Sequence, residues 1–110
     1  MVNEDVFKEI IGEERFSIKP NQVCVLILEF HESKIFVGHF VEFKNRTKDR
    51  DAINLTDVYR FADYLNPKRW LHVVSRQHQY QISTQSVIKF YIPKEDLSLD
   101  ACMELVSRMK

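Results

Sequence analysis

The first apolar residues of the chain recur at a helical spacing. Four of them fall at relative positions i, i+1, i+4 and i+5, which places them on one face of a helix. Asn3 is a favourable N-cap residue, and Gly12 stands where a glycine commonly ends a helix. The pattern predicts a helix over residues 3–12 whose apolar face consists of Val6, Phe7, Ile10 and Ile11.

The next apolar segments predict strands. Gln22–Phe30 is almost continuously apolar and rich in Val and Ile, as in a strand that is covered on both faces. Residues 31–34 are polar and predict a hairpin loop, after which Ile35–Phe43 forms the returning strand. Two later segments, Trp70–Ser75 and Val87–Ile92, also predict strands. The alternation of Tyr80 and Ile82 would extend the first of these strands.

The middle and the end of the chain predict two more helices. Asn54 is a favourable cap for a helix that reaches about Leu65, and the sequence Asn66-Pro67 would end it. The core face of this helix, with the spacing i, i+3, i+4 and i+7, consists of Val58, Phe61, Ala62 and Leu65. Ser98 caps a last helix, whose apolar face consists of Leu99, Cys102, Val106 and Met109.

The predicted elements follow the order α-β-β-α-β-β-α. Two hairpins separated by helices predict an α+β fold, in which a four-stranded, mainly antiparallel sheet packs against three helices. The chain has 110 residues, of which 45% are hydrophobic, and this is enough for one globular domain over residues 1–110.

Composition excludes several classes of protein. No apolar run approaches the ~20 residues that span a bilayer, and the acidic N-terminus does not resemble a secretory signal. The sequence therefore predicts a cytoplasmic protein without membrane contact. Two glycines are too few for phosphate-binding loops or dinucleotide folds. Cys24 and Cys102 are expected to be buried, inert thiols.

Charge is balanced overall but sorted along the chain. Residues 1–43 contain eight acidic and four basic residues, a net charge of −4, whereas residues 44–76 contain eight basic and four acidic residues, a net charge of +4. The basic segment suits an anionic partner, either an acidic protein surface or nucleic acid. Arginine outnumbers lysine there, and the guanidinium group suits bidentate contacts with carboxylates or phosphates.

Two histidines in predicted strands, His39 and His72, are candidates for acid–base chemistry on a phosphodiester. Phosphoesterases with paired histidines typically carry a hydroxyl residue two positions after each histidine, where this chain has Val41 and Val74. A small histidine-dependent nuclease is therefore a lesser alternative. The short spacings typical of metal ligands do not occur, so the sequence predicts no metal and no cofactor.

Aromatic residues and arginines in the middle third of the chain favour a binding surface, because both are enriched at the energetic centres of protein interfaces. The sequence predicts a small, non-enzymatic protein-binding module: an adaptor, an inhibitor or an immunity-type protein. The predicted partner-binding residues are Lys44, Arg46, Lys48, Arg50, Arg60, Tyr64, Lys68, Arg69, Trp70 and Arg76.

Two further interpretations of the charge pattern stay open. The first is sequence-independent binding of nucleic acid through residues 44–76, which would weaken steeply with salt. The second is a homodimer in which the acidic N-terminal third of one copy meets the basic middle third of another.

Overall fold

A computed structural model describes residues 3–28, 34–44, 51–62 and 65–109. These residues form one six-stranded antiparallel sheet with the strand order β1-β6-β2-β3-β4-β5. The strands are β1 (Phe7–Glu9), β2 (Val23–Leu28), β3 (Ile35–Lys44), β4 (Ala52–Ala62), β5 (Arg69–Ser83) and β6 (Val87–Pro93). One α-helix, α1 (Leu99–Met109), and two 3-10 helices over Gly12–Ser17 and Thr84–Ser86 complete the described structure.

The predicted α+β fold with four strands and three helices is wrong, because the described part of the chain is mostly sheet. The predicted middle helix is strand β4. Its buried residues Leu55 and Val58 are three positions apart because, between the aligned pairs His39–Thr56 and Val37–Tyr59, β4 has one more residue than β3, and Asp57 lies in this interval. That extra residue turns an alternating pattern into one that resembles a helix.

The predicted N-terminal helix is also wrong. Residues 4–6 form a turn, Phe7–Glu9 form β1, and a 3-10 helix begins at Gly12. A helix of this length is marginal without a packed face, whereas the edge of β6 offers backbone partners to β1. Phe7 is fully buried in the resulting arrangement, but Ile11, which the pattern predicts on the same apolar face, is 60% exposed.

The other predicted elements have the predicted type of secondary structure. Strands lie at each of the four predicted positions, although β5 runs without interruption from Arg69 to Ser83 and includes the proposed extension around Tyr80. The last helix is α1, and the Oγ atom of Ser98 accepts a hydrogen bond from the backbone N–H of Ala101 at 3.2 Å, as an N-cap residue does.

The sheet has an apolar core on each face. Helix α1 covers one face, called here the helix face, where Cys102 and Val106 pack with Val25 and Val37. The opposite face buries Leu26, Phe36, Leu55 and Phe90 among others. On that face the ring of Phe36 on β3 stacks on Tyr80 on β5, with 5.7 Å between the ring centroids. In the strand register, however, Phe36 aligns with Arg60 of β4, and Arg60 aligns with Leu71 of β5, well before Tyr80. The sheet is therefore strongly coiled towards this face.

The two edges of the sheet differ in length. β1 has 3 residues and β5 has 15, and within the described chain no strand pairs with the outer side of β5. None of the helices in the described ranges has the length and apolar character needed to cross a membrane.

Candidate functional site

A β-bulge centred on Asp57 interrupts the pairing of β4 with both of its neighbours. On the β5 side, Thr56 aligns with Gln79 and Val58 aligns with Val74, so that Asp57 alone faces residues 75–78 of β5. The register with β3 shifts at the same place. Asp57 has φ of 50°, a left-handed conformation that Asp tolerates better than most residues. A bulge and a left-handed backbone conformation thus coincide at Asp57, and both features are common at functional sites.

The carboxylate of Asp57 connects three strands. Its Oδ1 atom lies 3.2 Å from Nε2 of His72 on β5. Its Oδ2 atom lies 3.5 Å from Nε of Arg76 on β5 and 3.9 Å from Nδ1 of His39 on β3. The Asp57 side chain is only 18% exposed, so these contacts are partly shielded from solvent. One acidic residue of β4 therefore binds the bulged part of β5 to the sheet.

The hydroxyl of Thr56 reinforces the bulge from the neighbouring position. Its Oγ1 atom lies 2.8 Å from the carbonyl oxygen of His78, and within 3.3 Å of the carbonyl oxygens of Ser75 and Arg76. A hydroxyl donates one proton at a time, and the shortest contact is the one to His78. Residues 75–78 therefore leave the regular ladder but keep a polar partner on β4.

Burial and charge set the protonation of the groups around Asp57. Burial and the neighbouring Arg76 lower the pKa of His39 below its ordinary value, against the opposite effect of Asp57, so His39 is held neutral. The Nδ1 atom of His39 is buried and has no hydrogen-bond partner among the described residues. Burial, then Asp57 and then Asp100, raise the pKa of Tyr59, whose ring stacks on His72 at 4.3 Å. The Tyr59 phenol therefore stays protonated.

A cavity of about 310 Å³ separates this cluster from the start of helix α1. Its lining includes the carboxylates of Asp57 and Asp100, with Arg76 as the cation among the lining residues. Two carboxylates against one guanidinium do not favour a phosphate or another anion. Among the described residues, no group of three or more His, Cys, Asp or Glu side chains is arranged to hold a metal ion.

The structure brings the two histidines of the nuclease alternative to the same carboxylate. Asp57 lies between His39 and His72, in the place where a phosphodiester would have to sit between a catalytic acid and base. Its negative charge would repel such a substrate. The arrangement thus suits a structural role in the bulge better than hydrolysis of a phosphodiester.

The predicted partner-binding residues lie in different parts of the structure. Lys68 and Arg69 are exposed at the start of β5, and Arg76 is exposed at its bulge. Trp70 instead turns to the helix face, where its Nε1–H donates to Oγ of Ser107 at 2.7 Å. Arg60 lies half-buried within β4, and Lys44 ends β3. Four predicted residues lie outside the described residues: Arg46, Lys48, Arg50 and Tyr64.

Sequence reasoning missed the part of β5 beyond the bulge. Residues 77–88 contain no Asp, Glu, Lys or Arg, a signal that is visible in the sequence. In the structure the strand residues 79–83 belong to this segment, with Gln79, Gln81 and Ser83 exposed. The outer backbone of this stretch is unpaired within the described chain, and the stretch itself carries no Asp, Glu, Lys or Arg. Among the described residues it is a strand edge without its own charges and without a covering strand, two of the features that usually protect edges.

Comparison with models of protein families, with curated proteins and with solved structures found no match to this chain. The edge strand β5 and its anchor Asp57 are therefore the basis on which a function can be inferred.

Proposed function

We propose that the protein is a protein-binding module, which recognises an extended polypeptide segment by adding it as a further strand to the edge of β5. The observation that carries this proposal is that β5, with 15 residues the longest strand of the sheet, has no strand on its outer side within the described chain. In this mode of recognition, main-chain hydrogen bonds supply affinity and the alternating side chains supply specificity.

The two halves of β5 differ in how well they would accept a strand. The half before the bulge begins at Arg69, and the bulge itself carries Arg76. Charges and bulges are the features with which natural sheets protect their edges. Residues 79–83 have neither, so they are the part of the edge where a strand would add.

Nucleic-acid binding has weaker support from the described residues. Lys44 aligns with Ala52 at one end of β4, whereas Arg69 aligns with Ala62 at the other end. The rise of an extended strand sets an upper bound of roughly 33 Å on the distance between these ends. Phosphate contacts over a single patch would need the basic residues closer together. An acidic segment of a partner protein could still meet Lys68 and Arg69 at the start of β5.

A cytoplasmic location belongs to the same proposal. Cys24 and Cys102 are unpaired and buried, and free thiols suit a reducing compartment. Binding without catalysis is also part of the proposal, and it is supported by the shared position of Asp57 between the two histidines.

The proposal is tested by comparing protein capture by two single-lysine variants. Gln81→Lys places a charge on the edge, whereas Gln85→Lys places the same charge on an exposed residue just outside β5. Tagged wild type, Gln81→Lys and Gln85→Lys are incubated with native cell extract after nuclease treatment. We expect a stoichiometric protein that wild type and Gln85→Lys retain and that Gln81→Lys loses.

Hydrogen exchange then locates the contact. Amides of β5 in residues 79–83 should gain protection when the captured protein is bound. Equal capture by all three chains, or protection confined to another part of the sheet, would overturn the proposal.

A further inference from the structure

We propose that the strand added to β5 is the same strand of a second copy of this chain. The two copies pair antiparallel through residues 79–83, about a twofold axis at Gln81. This inference rests on the proposed function, because it names the partner of the same edge. It joins two six-stranded sheets into one continuous sheet.

Charge disfavours two of the registers in which β5 could pair with itself. Antiparallel pairing about Arg76 would set two arginines directly opposite each other, and pairing about His72 would set Lys68 opposite Arg76. Like charges directly opposite each other destabilise a strand pair. Pairing about Gln81 opposes only uncharged side chains, because residues 77–88 contain no Asp, Glu, Lys or Arg.

Packing favours the same register. Pairing about Gln81 sets Tyr80 of each copy opposite Ile82 of the other. Both side chains lie on the face opposite the helix, where Ile82 is 5% exposed and half-buried Tyr80 stacks on Phe36. Aromatic residues paired with β-branched residues are favourable across strands. The second copy would therefore cover the exposed part of Tyr80 and continue the existing apolar layer.

On the sheet face away from Tyr80 and Ile82, the paired side chains would be polar and uncharged. Gln81 would meet its own counterpart, and Gln79 would meet Ser83, all of which are exposed in the single chain. The side-chain amide of Gln79 already accepts a hydrogen bond from Asn54 at 2.9 Å, which holds this face of the strand in place. Side-chain amides carry both donors and acceptors, so two glutamines at a twofold axis can satisfy each other.

The contact is expected to be weak. A strand pair over residues 79–83 buries less than the ~1,200 Å² of a standard stable interface. We therefore expect a dimer that forms at micromolar concentrations and dissociates on dilution.

A cross-linking experiment tests the register. Gln81→Cys brings two thiols together at the axis, where directly opposite residues have Cα separations within the range of a disulfide. We expect covalent dimers of Gln81→Cys under mild oxidation. Gln79→Cys or Ser83→Cys alone should give none, whereas a mixture of these two chains should cross-link. The native thiols of Cys24 and Cys102 are buried and should not contribute.

Charge complementation tests the axis without a covalent bond. Gln81→Lys and Gln81→Glu should each be monomeric by light scattering, since each puts like charges opposite each other. Their equimolar mixture should recover the doubled mass. A wild type that stays monomeric at high micromolar concentration, or equal cross-linking of Gln79→Cys and Gln81→Cys, would overturn the inference.

The outcomes separate this inference from the proposed function. If the wild type is monomeric but Gln81→Lys alone loses a captured protein, the edge binds a different chain and the second copy is excluded. If the edge variants neither alter capture nor change the mass, both proposals fail.

Discussion

The Oδ1 atom of Asp57 lies 3.2 Å from Nε2 of His72, although Asp57 has no register partner on either neighbouring strand. His72 itself aligns with Tyr59, and the ring of Tyr59 stacks on the imidazole. One side chain thus bridges the gap that the bulge opens in the ladder. The geometry of the exposed strand β5 therefore depends on a residue of the strand beside it.

The backbone conformation of Asp57 leads to a prediction for two substitutions. Both Asp57→Ala and Asp57→Gly remove the carboxylate and its contacts with His72 and Arg76. Only the glycine relieves the positive φ of 50°. We expect Asp57→Ala to lower the free energy of unfolding by about 1–2 kcal/mol. Asp57→Gly should be the more stable variant by about 1 kcal/mol. Urea unfolding at neutral pH measures both, and equal or reversed stabilities would contradict this reading of the bulge.

The lowered pKa of His39 predicts a loss of stability in acid. The folded chain favours the neutral imidazole, so between the two pKa values the unfolded chain binds more protons. The stabilisation is complete above the ordinary histidine pKa of about 6.5 and is lost as the pH falls through the folded value. His39→Gln should flatten this part of the pH profile of the urea midpoint. His78→Gln, at an exposed position of β5, serves as the control and should leave the profile as it is in wild type.

Close packing at Gly38 predicts a coupled pair of substitutions. A Cβ atom at this position would lie 3.0 Å from Cγ2 of Val58 and 3.4 Å from the carbonyl oxygen of Thr56. Gly38→Ala should therefore lower the free energy of unfolding by about 1–3 kcal/mol through overpacking. Val58→Ala opens space at the same point, so the double variant should be more stable than the sum of the two single effects predicts. Strict additivity would show that Val58 is not the obstacle.

Burial of both cysteines predicts slow thiol chemistry. Burial raises the pKa of Cys102 to about 11, and burial together with Cys102 raises the pKa of Cys24 still further. The thiolate is the reactive form, so neither residue should react with a disulfide reagent in the folded protein at neutral pH. Both should react at once in denaturant. A thiol that reacts without denaturant would mean that the strand or helix carrying it opens easily.

The strands that are covered on both faces could be predicted from the sequence, because their composition leaves few alternatives. The apolar runs that became β2 and β3 are examples, and Ser98 marks the start of α1 correctly. β4 could not be recognised, because the residue that β4 has in excess of β3 at Asp57 gives Leu55 and Val58 a helical spacing. A bulge depends on partners across the sheet, and local periodicity carries no information about them.

The candidate site was predictable only in part. The sequence indicates that His39 and His72 are candidates for acid–base chemistry, but it predicts a helix at their common neighbour Asp57. Arg69, Trp70 and Arg76 all lie on the edge strand, but Trp70 is half-buried against the helix face. The edge itself follows from strand order, since β5 is an edge because no other strand of the described chain pairs with its outer side. Strand order is a property of the whole chain and cannot be inferred from one segment.

The indole of Trp70 also provides a natural optical probe. It is the single tryptophan of the chain, and it is held between Phe61 of β4 and Ser107 of α1. Its emission should therefore report whether the helix is seated on the sheet, and should change little when a strand is added at residues 79–83. Loss of the helix and occupation of the edge can thus be followed separately in the same unlabelled sample.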